Sequence, residues 1–288
     1  MSVPTAMPTS GGDTPATGRV DFGWLKQGWA LLNARAGLWA GTTALFFLLC
    51  LALWLLWLVP TGGLNTLRQT WIAVISANPG SVPKSNPIQD FALNHAFAVL
   101  AGGVSGVFVG GLYRTALRQM RGEPVSPLGL FSGFPQAGPL LAVGVVVPTF
   151  TGLLEGLIFW LLHLAHVPAA LSITPFAVLD WLVSLVLEAL IMFAPLRVVD
   201  KGEGAANAIL GSIRLLRGQW LWGVLFYFVA TLVSGLGGLA CGVGLLATYP
   251  LFLLSVAVGY WNLTQARPSA VAMPLAPDPS VWPPPPTA

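Results

Sequence analysis

The sequence predicts an all-α membrane protein: six transmembrane helices as three hairpins, each preceded by an amphipathic helix at the cytoplasmic interface. Three observations lead there. First, of 288 residues 55% are hydrophobic and only 8% charged, with a mean hydropathy of +0.77. Soluble globular chains carry roughly 25% charged residues, because charge keeps their surfaces in water. Second, nearly uncharged runs of the ~20 residues that a bilayer crossing requires recur along the chain. Third, Lys and Arg concentrate in alternate connections. Disorder throughout and a collagen-like chain are excluded by 15 Phe and 12 Trp that need burial and by 33 Gly without a three-residue period. A net charge of +3 spread over 13 basic residues is too sparse for a nucleic-acid partner.

Taken in order, residues 1–18 are polar and rich in Pro, Gly and Thr; they predict a disordered tail, and lacking an apolar stretch they are no cleavable signal. In residues 20–36, Trp24, Leu25, Trp29 and Leu32 recur at helical spacing opposite Lys26 and Arg35, which predicts a short interfacial helix. Gly37–Val59 is the first span and Phe91–Tyr113 the second. Between them, loop 60–90 contains a predicted amphipathic segment, Thr66–Ala77, that would rest on the outer leaflet. Pro124–Gln136 takes the place of the second interfacial helix. Leu140–Leu162 and Pro175–Leu196 are the third and fourth spans. In residues 205–219, Ile209, Leu210, Ile213 and Leu216 oppose Arg214 and Arg217, predicting the third interfacial helix. The uncharged stretch Gly218–Ala266 is long enough for two crossings, turning at Gly235, Gly237, Gly238, Gly242 and Gly244. The domain thus covers 19–267, and residues 268–288 form a Pro-rich disordered tail that either stays solvated or docks a partner as polyproline II. Cys50 and Cys241 lie in apolar sequence and read as free thiols.

With the N-terminus inside, eleven basic residues face the cytoplasm (Arg19, Lys26, Arg35, Arg114, Arg118, Arg121, Arg197, Lys201, Arg214, Arg217 and Arg267) and only Arg68 and Lys84 face outward. By the positive-inside rule both termini are cytoplasmic.

Punctuation residues carry a family resemblance. Tyr113-Arg114, Gly122, Leu130-Phe131 and Phe134, followed by Ser212, Trp220, Gly235, Cys241-Gly242-Val243-Gly244, Pro250 and Tyr260, resemble a pattern in uncharacterised bacterial six-span integral membrane proteins. Those proteins are similar to the membrane domain fused to some glycerophosphodiester phosphodiesterases. The resemblance runs from about Phe22 to Leu263. It implies the fold and a bacterial cytoplasmic (inner) membrane, and it implies no catalytic residues.

Ionisable residues inside spans are costly and mark functional candidates. Asp180, Ser184 and Glu188 stand at i, i+4 and i+8 on one face of the fourth span. Glu155, His163 and His166 share a broad face of the third, with Thr151 one turn before Glu155. Folding the two spans about residue 170 sets Glu155 level with Glu188 and brings Asp180 nearer the histidines. This ladder either relays protons, binds a cation, lines a solute path, or bridges the helices by hydrogen bonds. The pair His163 and His166 lacks the spacing of a zinc motif, so no metal or other cofactor is expected. Neither a nucleophilic triad nor HExxH is present, and no enzyme activity is expected. Gly102, Gly106 and Gly110 form a small-residue face for helix packing, within the chain or between copies. The expected partners are membrane lipids, with a second copy or another membrane protein as further candidates. Two functions follow: a non-enzymatic protein that organises lipids or partner membrane proteins, and a small transporter or channel subunit using Glu155, Asp180 and Glu188.

Overall fold

The computed structural model describes residues 19–59, 87–164, 169–239 and 242–265, all helix and short connections with no strand among them. The expected helix at Thr66–Ala77, both tails, Arg68, Lys84, Arg267, His166 and Cys241 lie outside the described residues. The helices are α1 (Gly23–Ala34), α2 (Ala36–Leu58), α3 (Pro87–Met120), α4 (Ala137–Leu164), α5 (Ala169–Ile191), α6 (Ala194–Lys201), α7 (Ala205–Leu215), α8 (Trp220–Leu239) and α9 (Leu245–Gln265). Six helical stretches, centred on α2, α3, α4, α5, α8 and α9, are long and apolar enough to cross a membrane. The chain is a multi-pass helical membrane protein.

Several boundaries differ from the sequence reading: α5 starts at Ala169 ahead of Pro175, and α8 stays helical through Gly235, Gly237 and Gly238 to Leu239, so the turn falls after them. α3 continues past Arg114 to Met120, because Thr115, Ala116, Leu117 and Met120 are buried and hold that extension in the bundle. The fourth span carries on past Leu196 to Lys201, with a break inside it. α5 ends at Ile191, and after Met192 and Phe193 the chain starts α6, with Pro195 in its first turn, where a missing N–H costs nothing. Ser212 holds this break from α7: its hydroxyl donates to the Leu190 carbonyl at 2.7 Å and accepts the Phe193 N–H at 3.2 Å.

The segments that precede the spans pack against helices instead of standing apart from them. The inward face of α1 is Trp24, Gly28 and Leu32, at a spacing of four, while Trp29 is 50% exposed. Gly28 lies so close to Ser255 of α9 that a Cβ would sit 2.9 Å from its backbone nitrogen, and Trp24 covers Gly259 while its ring meets Phe226 edge-on at 5.0 Å. Pro124–Gln136 is not an α-helix. Pro127–Gln136 forms a 3₁₀ segment against α3, where Gly111 admits the Leu130 carbonyl and Gly133 fits over the Val107 carbonyl. Leu128, Phe131 and Phe134 face outward. In α7 the inward face is Ala208, Gly211, Ser212 and Leu215, leaving Leu210 and Ile213 exposed.

These three contacts share one pattern. Val107, Leu190 and Ser255 each offer backbone to the docking segment, at Gly133, Ser212 and Gly28 respectively. Seven residues later in the chain, on the same helix for Val107 and Ser255 and across the α5–α6 break for Leu190, a polar side chain meets the same segment. Arg114 donates to the Ser132 carbonyl and to Gln136 Oε1, both at 2.7 Å. Arg197 lies over Gly211, and Asn262 Nδ2 donates to Gln27 Oε1 at 3.4 Å. The second and third docking segments therefore sit on helices that precede them, and α1 sits on α9. Small residues at the contact permit backbone approach, which is how helices associate without a hydrophobic driving force.

The core is densest at this end of the bundle. Trp39 is fully buried and its indole N–H donates to Gln119 Oε1 at 2.7 Å; Gln119 Nε2 in turn donates to the Leu31 carbonyl at 2.8 Å. At the other end, Leu56, Leu153, Trp160 and Trp181 are exposed, as expected where lipid is the solvent.

Candidate functional site

The intramembrane candidates are positioned by the close contact of α3 and α4. Gly102 and Gly106 pack directly on backbone of α4: a Cβ on Gly102 would stand 2.6 Å from the Gly144 carbonyl, and one on Gly106 2.9 Å from the Leu140 carbonyl. Gly110 meets the Leu140 side chain. The Gly102, Gly106 and Gly110 face is therefore occupied within the chain.

Farther along the same contact, Gly152 leaves room for His95, whose Nε2 lies 2.7 Å from Glu155 Oε2. Asp180 of α5 interacts with the Glu155 carboxyl from the third side. One Asp180 oxygen is buried without a hydrogen-bond partner. The His95 and Glu155 side chains are 26% and 29% exposed, so the cluster is open on one side. Three helices thus deliver one imidazole and two carboxyls to one place. Such a group can share a proton between neighbours.

Glu188 is elsewhere. It lies at the bundle surface, where Oε2 accepts the Tyr227 hydroxyl of α8 at 3.0 Å. The expected level pairing of Glu155 with Glu188 is thus replaced by two separate contacts, Glu155 with His95 and Asp180, and Glu188 with Tyr227. Thr151 turns its hydroxyl to the Val147 carbonyl of its own helix at 3.1 Å. Ser184 is half-buried on α5, between Asp180 and Glu188. His163 belongs to α4, and His166 lies outside the described residues. His95 is the member that sequence reasoning left out of the ladder. It is the one ionisable side chain between Phe91 and Tyr113, and that isolation in an apolar run was the available signal. Among the described residues no group of three His, Cys, Asp or Glu side chains is arranged to hold a metal ion.

The basic end of the bundle forms a second candidate region, and its cations divide into two sets. Arg197 grips Glu203 through two bonds, Nε to Oε2 at 2.9 Å and Nη2 to Oε1 at 2.6 Å. Arg121 pairs with Asp200, whose other oxygen accepts the Tyr260 hydroxyl at 2.8 Å, and Arg121 also lies 5.8 Å from the Trp261 ring centre. Arg118 stands 3.6 Å from Glu123. Arg19, Lys26, Arg35, Lys201, Arg214 and Arg217 form the other set. They are exposed and make no ion pair among the described residues. Five of these six lie on or beside α1 and α7.

No protein-family model matches the chain, and neither the curated proteins nor the solved structures yield a match.

Proposed function

We propose that this protein is a non-enzymatic component of a bacterial cytoplasmic membrane, with both termini inside, that gathers anionic lipids around its basic end and so organises its membrane surroundings. The observation that carries this reading is the division of the cations. Four arginines are held by protein groups, whereas six basic side chains project without partners among the described residues, beside helices whose outward faces are apolar. Basic side chains near the surface of a membrane with anionic lipids are worth about 1 kcal/mol each. Exposed Trp29, Leu210 and Ile213 supply apolar contact at the same level. The residues that resemble bacterial six-span membrane proteins support the bacterial inner membrane as its location.

The test is lipid retention. The purified full chain, exchanged into a neutral detergent, is expected to keep phosphatidylglycerol in preference to phosphatidylcholine. Changing Arg19, Lys26, Arg35, Lys201, Arg214 and Arg217 together to Gln should abolish the preference. Equal retention of both lipids by the wild type would overturn the reading.

A second reading is favoured by the unpartnered Asp180 oxygen beside Glu155: a small transporter or channel subunit that moves protons or cations past the acids. It requires a pH-dependent flux in proteoliposomes that Glu155→Gln and Asp180→Asn abolish while the fold survives. Wild-type proteoliposomes no leakier than empty ones would remove it.

A further inference from the structure

We infer that the cleft between segment 19–22 and the turn 217–222 is a binding site for the phosphodiester of an anionic glycerophospholipid. The inference rests on the reading of the basic end as lipid-gathering and gives that reading one defined site.

The cleft is built by two elements far apart in sequence. Gly218, at φ +85°, makes a turn that side-chain-bearing residues rarely adopt, and this carries the chain from α7 into α8. Gln219 then reaches back, its Oε1 accepting the Val20 N–H at 2.7 Å. That bond fastens the start of α1 beside the start of α8 and leaves between them an open cleft of about 600 Å³. Arg19 and Arg217 line it, and neither guanidinium has a partner among the described residues. Asp21 lines it too, with Oδ1 accepting the Gly23 N–H at 2.9 Å at the start of α1. Two positive charges and one negative leave a net single positive charge, matched to the single negative charge of a phosphodiester. Guanidinium groups bind phosphate oxygens through paired, charge-assisted hydrogen bonds.

The surroundings select a lipid over a soluble phosphate. Trp222 forms one wall of the cleft and is 57% exposed. With exposed Trp220, Leu221 and Leu225 it begins an apolar face that continues along the span. Tryptophan at this level anchors a span at headgroup depth. A phosphate held by Arg19 and Arg217 thus sits where its acyl chains can run down α8.

Native mass spectrometry of the full chain in mixed phosphatidylglycerol and phosphatidylcholine tests the site. Arg19→Gln with Arg217→Gln should weaken retention of the tightest phosphatidylglycerol by about tenfold or more, since each arginine contributes on the scale of a surface cation. Lys26→Gln with Arg35→Gln, which removes the same charge from the lipid-gathering set outside the cleft, should lower the total phosphatidylglycerol retained but weaken the tightest molecule at least about threefold less than the arginine pair does. Asp21→Asn removes the repulsive carboxylate while leaving an oxygen to cap Gly23, so it should strengthen retention. Equal losses in the two double variants would overturn the cleft and leave the broader lipid reading standing. Absence of any wild-type preference for phosphatidylglycerol would overturn both. Displacement of the lipid by excess inorganic phosphate would make this a soluble-anion site and overturn the lipid assignment. If the arginine double variant fails to fold, Asp21→Asn decides: unchanged or weaker retention overturns the proposal.

Discussion

The two polar regions of this bundle solve the same problem differently. At the basic end, Arg114, Arg121, Arg197, Asp200 and Tyr260 are each bonded to protein across two or more elements. In the spans, His95, Glu155 and Asp180 lean on one another, and one carboxyl oxygen has no partner. The difference follows from what the helices can reach. The basic end has three extra segments, pressed close by Gly111, Gly133, Gly211 and Gly28, whose backbone carbonyls and side chains complete the polar groups. The far halves of α4 and α5 have lipid on their outer faces, and lipid offers no hydrogen bonds. Close backbone approach, more than the number of charges, decides whether a polar group is satisfied.

That contrast can be broken first at its glycines. Gly111→Ala would drive a Cβ into the Leu130 carbonyl and lift the 3₁₀ segment from α3; the expected loss is about 3 kcal/mol, the upper range of ordinary overpacking. Gly41→Ala in α2, where nothing lies within 4 Å, is the control and should gain about 0.5–1 kcal/mol of helix propensity. Both are read by chemical unfolding in detergent. A smaller loss is expected from Arg197→Gln, which leaves Glu203 half-buried without its paired donor; about 2 kcal/mol is the scale for a bond to a charged group. Its check is the midpoint of thermal unfolding.

In the spans the effects should shrink. Glu155→Leu leaves His95 Nε2 without its carboxyl partner and should cost about 1–2 kcal/mol, whereas Glu155→Gln should cost less than half of that, since an amide oxygen still accepts. Glu188→Gln keeps an acceptor for the Tyr227 hydroxyl and should fall within about 0.5 kcal/mol of wild type. If Glu155→Gln proved as harmful as Arg197→Gln, the two polar regions would be equally essential to the fold and the contrast drawn above would fail.

Much of this molecule was legible from hydropathy, and the reason is physical. Bilayer thickness fixes span length, so Gly37–Val59 was read within a residue of α2, Ala36–Leu58. Charge marks where apolarity stops, but not where a helix stops, which is why α3 runs seven residues past Tyr113. The inward face of α1 was missed in part because Gly28 contributes no hydrophobicity to a periodic pattern, yet its lack of a side chain is what draws α9 close. Pairing in the spans was the least legible. Folding α4 onto α5 about a single point at residue 170 matched Glu155 to Glu188. Counted from the helix ends, Glu155 lies nine residues before Leu164 and Asp180 eleven after Ala169, whereas Glu188 lies nineteen after it. His95 belongs to another helix altogether, and no spacing along α4 or α5 reveals it.

The docking of α1 on α9 also orders events in time. Trp24 and Gly28 leave the ribosome more than 220 residues before the surfaces that receive them, Ser255 and Gly259. At roughly 5–20 residues per second, α1 spends on the order of ten to fifty seconds without its partner helix. Its apolar stripe and the cations Lys26 and Arg35 give it somewhere to wait, flat on the membrane surface. α1 is therefore made long before it can be placed, and a chain halted before α9 would leave Trp24 at the membrane surface for quality-control proteases to find.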